Sequence, residues 1–130
     1  MAADYPQFHP RTRKAWRSWL EKNHTSAAGV WLVYHKKTAG FSRVDYADAV
    51  EEALCFGWID SLPRTLDETR SMLKFTPRKP KSVWSKLNKS RVERLITTGL
   101  MTAAGMAAIQ IAKENGSWDS LTASNNYADN

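Results

Sequence analysis

Gly57 interrupts the chain between its clearest helical pattern and its clearest pair of strand patterns, and that junction limits what the 130 residues can build. Before it, Tyr46, Ala49, Val50, Ala53 and Leu54 recur at helical spacing behind Asp45, a good N-cap, while Asp48, Glu51 and Glu52 line the opposite, solvated side. Gly57 stands where a left-handed C-terminal cap belongs. After it, residues 58–66 and 69–76 read as two strands joined around Asp67 and Glu68. Pro77 and Pro80 then hold Arg78 and Lys79 extended. In an unbroken hairpin Trp58, Asp60, Leu62, Arg64 and Leu66 share one face, with Leu73 and Phe75 across from them. The loop has no glycine, which disfavours a two-residue primed turn, and a one-residue slip exchanges the faces.

The flanking segments follow the same logic. Residues 1–9 read as an irregular arm. Pro10 suits the first turn of a helix over 10–23, with Ala15, Trp16, Trp19 and Leu20 on one face. Residues 30–34, Val-Trp-Leu-Val-Tyr, read as a strand buried on both faces. Ser82 caps a short turn through Trp84 and Leu87. Ser90 and Glu93 form a capping box for a helix over 90–98 that turns Val92, Leu95 and Ile96 inward. Thr102 caps a last helix stapled by Met101 and Met106, with a small-residue face of Ala104, Ala107, Ala108, Ile111 and Ala112. The expected fold is α+β: a small three-stranded, mainly antiparallel sheet, one strand plus a hairpin, packed with four to five helices and all helical toward its C-terminus. One domain is expected over 10–118, between the arm 1–9 and a polar tail 119–130.

Charge narrows the partners. Nineteen Lys and Arg against thirteen Asp and Glu give a net charge of +6, which favours nucleic acid, anionic lipid or an anionic metabolite. One cysteine excludes a disulfide framework and a thiolate zinc cluster. The first residues lack a basic-then-apolar leader, and no apolar run approaches the roughly 20 residues of a membrane span, so a cytoplasmic chain without a span is expected.

Cys55, at a helix C-terminus beside carboxylates, is disfavoured as a thiolate, and His9, His24 and His35 are scattered; no metal or cofactor is expected. Asp60 lies between Trp58 and Leu62 on an apolar strand face and requires a partner. A structural ion pair with Arg64 or Arg78, or a bond to a backbone amide, supplies one. Alternatively Asp60 is one wall of a ligand pocket made of Trp58, Asp60, Arg64, Arg78, Trp84, Ser85 and Asn88. As a general base it has no visible partner. Residues 70–94 hold nine Lys/Arg and one acidic residue, Glu93, interleaved with Phe75 and Trp84. That mixture fits single-stranded nucleic acid held by Lys74, Arg78, Lys79, Lys81, Lys86, Lys89, Arg91 and Arg94. The two helices after it can be drawn as a helix-turn-helix, but the second is rich in Ala and Met and poor in base-reading side chains.

Five segments together resemble a known family: GVWLVYHKK at 29–37, YADAVEEALCFGWIDS at 46–61, LDE at 66–68, KFTPRKPKSVWSKLN at 74–88 and GLMTAAGMAAI at 99–109. The chain is similar over about residues 8–118 to the YdeI/OmpD-associated, or bacteriocin-protection, proteins. The resemblance implies a soluble bacterial α+β domain with no established reaction, linked by name to protection against bacteriocins or antimicrobial peptides. Trp58, Asp60, Arg78, Ser82, Trp84, Ser85 and Asn88 match its pattern. The combined expectation is a non-enzymatic cytoplasmic accessory or stress protein that binds a small anionic ligand. The alternative is a nucleic-acid-binding domain using the 70–94 tract, and tryptophans at the surface fit a homodimer interface equally well.

Overall fold

The computed structural model describes residues 5–37, 40 and 43–120. Its elements run β1 (Gln7–Phe8), α1 (Arg13–Asn23), β2 (Val30–His35), α2 (Tyr46–Cys55), β3 (Trp58–Thr65), β4 (Arg70–Pro77), α3 (Lys86–Thr97) and α4 (Ala103–Asn115), then a 3-10 turn (Ser117–Asp119). Two compact units result. The first holds the chain up to Ala53 together with Trp58–Pro77; the second holds Leu54–Gly57 and the chain from Arg78 onward.

The sheet of the first unit has four strands in the order β1-β2-β4-β3. β1 runs parallel to β2, and the other pairs are antiparallel. This corrects the expected three-stranded, mainly antiparallel sheet: the sheet is mixed, and the described residues form four α-helices. The extra strand comes from the stretch read as an irregular arm, where Gln7 and Phe8 pair with Trp31 and Leu32. The Trp31 N–H also donates to the Pro6 carbonyl at 2.8 Å. A two-residue strand is too short to show alternation.

Trp16 joins three elements on one sheet face. It is fully buried, its indole N–H donates to the Ala49 carbonyl at 3.0 Å, and its ring lies 5.1 Å from that of Phe75 on β4. The acidic side of α2, expected to be solvated, faces α1 instead. The Arg13 guanidinium reaches Asp48 at 2.9 Å, Glu51 at 3.1 Å and Glu52 at 2.5 Å, and Arg17 reaches Glu52 at 2.9 Å. Glu51 and Glu52 are only 7% and 3% exposed, so the arginines are what make their burial tolerable. Thr12, rather than Pro10, begins α1, its side chain accepting from the Ala15 N–H.

A bulge divides β3. Asp60 pairs with Phe75, but the next registered pair is Pro63 with Leu73, so Ser61 and Leu62 together face the single residue Lys74. Beyond it the parity of β3 is reversed. Arg64 pairs with Met72 and shares its face with Trp31 and Val33, opposite the face of Asp60 and Phe75. The expected common face of Trp58, Asp60 and Arg64 therefore does not form. The hairpin needs no glycine because Asp67 closes it: its carboxylate accepts from the N–H groups of Thr69 and Arg70 and from the Arg70 guanidinium at 2.7 Å. The bond from Arg70 is the main reason that its pKa is lowered to about 2.

In the second unit the expected turn from Ser82 through Trp84 does not form, and the expected 90–98 helix starts earlier, as α3, whose N-cap is Ser85; its hydroxyl accepts from the Asn88 N–H at 3.1 Å. Ser90 and Glu93 thus lie inside the helix and form no capping box. Thr102 caps α4 as expected and also donates its hydroxyl to the Cys55 carbonyl at 2.5 Å. The buried stripe of α4 is Gly105, Ile109 and Ala112, rotated from the expected one, and Ile111 is 44% exposed. Gly105 allows this docking, because a Cβ there would run into the Cys55 carbonyl.

Gly105→Ala is expected to destabilise the protein by about 1–3 kcal/mol in urea unfolding, the usual range for overpacking. An unchanged midpoint would show that α4 does not pack on the Cys55 carbonyl. A second expectation concerns acid. The His9 ring lies 4.8 Å from that of His35, and its Nε2 is buried with no hydrogen-bond partner among the described residues. Burial, then the positive charges of Arg11, His35 and Arg70, lower its pKa from 6.5. The unfolded chain therefore takes up this proton first, so stability present above pH 6.5 is lost as pH falls from 6.5 toward the folded value. Asp67 acts in a lower window, from 3.8 down to about 2. His9→Asn is expected to shrink the fall in urea midpoint between neutral pH and about pH 5; an undiminished fall would contradict the assignment.

Candidate functional site

Within the first unit the expected pocket residues are already engaged. Trp58 is 1% exposed and donates its indole N–H to the His24 carbonyl at 3.3 Å. Asp60 accepts from the Tyr46 hydroxyl at 2.9 Å. Arg64, on the other face, lies with its guanidinium carbon 4.7 Å from the centre of the Trp31 ring, so the Asp60–Arg64 pair that spacing suggested is not made. An open groove of about 260 Å³ is lined by Tyr34, Pro63, Arg64, Thr65 and Ser71. The register puts Tyr34, Ser71 and Thr65 in one row across three strands.

The second unit does gather Arg78, Trp84, Ser85 and Asn88, but as a folded corner. The Arg78 guanidinium carbon stands 3.7 Å from the centre of the Trp84 ring, and the group donates to the Val83 carbonyl at 2.7 Å. Ser85 and Asn88 are each 6% exposed: one caps α3, and the other accepts from Arg91 at 2.9 Å. Asn115 and Ser117 both donate to the Pro80 carbonyl, fastening the 78–85 loop to the end of α4. Cys55 is fully buried. Among the described residues, no three or more His, Cys, Asp or Glu side chains gather so as to hold a metal ion.

The basic tract is divided by the fold. Lys74 lies on the sheet of the first unit, while Arg78, Lys79, Lys81, Lys86, Lys89, Arg91 and Arg94 belong to the second. Lys79, Lys81, Lys86 and Arg94 are exposed. The aromatic rings expected to stack on bases are not: Phe75 is 0% and Trp84 2% exposed. A partly exposed ring beside cations lies elsewhere, and it includes Lys113 and Trp118, which the sequence analysis does not name. Trp118, half-buried, packs its ring 5.0 Å from that of Trp84. The ammonium groups of Lys113 and Lys89 stand 5.0 and 5.5 Å from the Trp118 ring centre. Lys89 also lies 3.8 Å from the exposed carboxylate of Asp119. The result is a tier of cations and indoles, Arg78 on Trp84 and two lysines on Trp118, suited to a ligand that is both anionic and flat. The available signal was a tryptophan just beyond the Gly116 helix stop with a lysine one turn before it, but only folding brings Lys89 to it.

No helix of the described residues is long and apolar enough to cross a membrane. No curated protein and no solved structure matches the chain. A family model described as a domain of unknown function (DUF8412) matches residues 8–108, ending before Lys113 and Trp118. Its description carries no activity and does not bear on the YdeI/OmpD-associated resemblance. The matched span covers most of the 130 residues, from β1 into α4, and on that basis the protein belongs to the DUF8412 family.

Proposed function

We propose that this protein is a cytoplasmic, non-enzymatic binding module that takes single-stranded nucleic acid on the cation-bearing face of its second unit. The observation that carries this reading is the half-buried Trp118 ring with the ammonium groups of Lys113 and Lys89 at 5.0 and 5.5 Å. A base offers a π-face to the indole, and its phosphates meet the lysines. Residues 78–120 contain eight Lys/Arg against three Asp/Glu, so the surrounding field attracts a polyanion. Exposed Lys79, Lys81, Lys86 and Arg94 add contacts that carry no sequence information. The outer side of α4 presents Met106, Ala107, Gln110 and Ile111, which favours stacking and charge over major-groove reading.

The small-ligand reading is weaker because Trp58, Asp60, Ser85 and Asn88 each spend their polar groups within their own unit. Protection against bacteriocins or antimicrobial peptides, implied by the resemblance, would be an indirect consequence of such binding.

The test is anisotropy of labelled single- and double-stranded oligonucleotides across a salt series. The wild type is expected to prefer the single strand, with log affinity falling by about 0.7 per log salt for each phosphate neutralised. Lys89→Gln with Lys113→Gln should flatten that slope by roughly one to two such contacts. Trp118→Ala should weaken binding at every salt concentration by about tenfold, within the range for one stacked base. No binding at low salt, or full binding by all variants, would overturn the proposal.

A further inference from the structure

The sheet face turned away from α1 and α2 carries its own buried cluster of Trp31, Val33 and Met72, with Tyr5 and Leu66 packed against it. Two cations stand over this cluster. The Arg64 guanidinium carbon and the Lys74 ammonium nitrogen lie 4.7 and 5.3 Å from the centre of the Trp31 ring, and Lys74 is also 5.5 Å from the Tyr5 ring. Trp31 is 2% exposed, and its indole N–H is buried with no hydrogen-bond acceptor among the described residues. The side chains of Arg64 and Lys74 likewise make no ion pair or hydrogen bond among those residues. Two carboxylates of this hairpin are engaged elsewhere: Asp60 lies on the opposite face with Tyr46, and Asp67 holds Arg70.

The indole N–H, the guanidinium and the ammonium can only donate, and the last two carry full positive charge. A buried donor left unmade costs about 1–3 kcal/mol, and an acceptor-rich anion would satisfy the indole N–H while pairing both cations. We infer that this face binds a small dianionic oxyanion, a phosphate group, between Arg64, Lys74 and the Trp31 indole N–H. The two positive charges match a dianion, and guanidinium and ammonium donors to phosphate make the stronger, charge-assisted class of hydrogen bond. The β3 bulge supplies the geometry, because without it Arg64 would point to the Asp60 face. The site shares no residue with the Trp118 surface and does not depend on nucleic-acid binding.

The test is a nitrogen-15 NMR titration of the full chain with inorganic phosphate at fixed ionic strength. The Trp31 indole signal is assigned by its loss in Trp31→Phe, or by a nuclear Overhauser contact to the Met72 methyl should that variant not fold. Phosphate is expected to move this signal downfield in a saturable way. The double variant Arg64→Met, Lys74→Met should lose the response while its other signals overlay those of the wild type. A signal that stays fixed up to about ten millimolar phosphate, where a millimolar site is mostly filled, would overturn the inference. A response that survives in the double variant would overturn it as well. An equal response to acetate would overturn the assignment to phosphate.

Discussion

One surplus residue in β3 decides which side chains meet on the sheet. Ser61 and Leu62 occupy the space of one partner residue, so the strand changes parity between Asp60 and Pro63. Upstream, Trp58 and Asp60 join the face that packs under Trp16. Downstream, Arg64 joins Trp31, Met72 and Lys74 on the other. A regular hairpin would have placed carboxylate and guanidinium on one face, where they could neutralise each other. Separated, Asp60 is satisfied by a tyrosine hydroxyl, and Arg64 is left as a cation above an indole. Bulges re-aim side chains in this way, and here the consequence is chemical as well as geometric.

The rest of the first unit supports that sheet. Trp16 ties α1, α2 and β4 through one hydrogen bond and one ring contact, and the Arg13 and Arg17 guanidiniums neutralise the near-buried carboxylates of α2. In the second unit, Gly105 lets α4 approach the Cys55 carbonyl, while Asn115 and Ser117 hold the 78–85 loop by the Pro80 carbonyl. Trp84 is thereby fixed as the floor on which Trp118 rests. In both units a tryptophan is overlaid by two cations, but the settings differ. Trp31 is buried, its N–H without an acceptor among the described residues, whereas Trp118 is partly exposed. The first arrangement suits a compact anion and the second a stacked base.

Much of the fold was legible in the sequence, for local reasons. The helix ending at Gly57, the strand over 30–34, the hairpin and the Thr102 cap all follow from period, capping and turn chemistry within a few residues. What escaped depends on distant partners. β1 is two residues long and becomes a strand only because β2 offers an edge. Ser90 and Glu93 satisfy the capping-box pattern, but Ser85 starts the helix earlier. The acidic stripe of α2 looked solvated because Arg13 and Arg17 lie far away in sequence. Periodicity cannot reveal the β3 bulge, which separates Asp60 from Arg64. Lys113 and Trp118 lie beyond the basic tract of 70–94 in the sequence, and only the fold brings Lys89 to that ring.

The central claim, that flat anionic ligands meet this protein at Trp118, is tested most directly by NMR mapping of the full chain with a short single-stranded oligonucleotide at low salt. The account predicts that the Trp118 indole signal and the backbone amides of Lys89 and Lys113 move together. The signals of α1, α2 and the sheet should stay in place. Movement confined to the first unit, with the Trp118 indole unchanged at saturation, would contradict it.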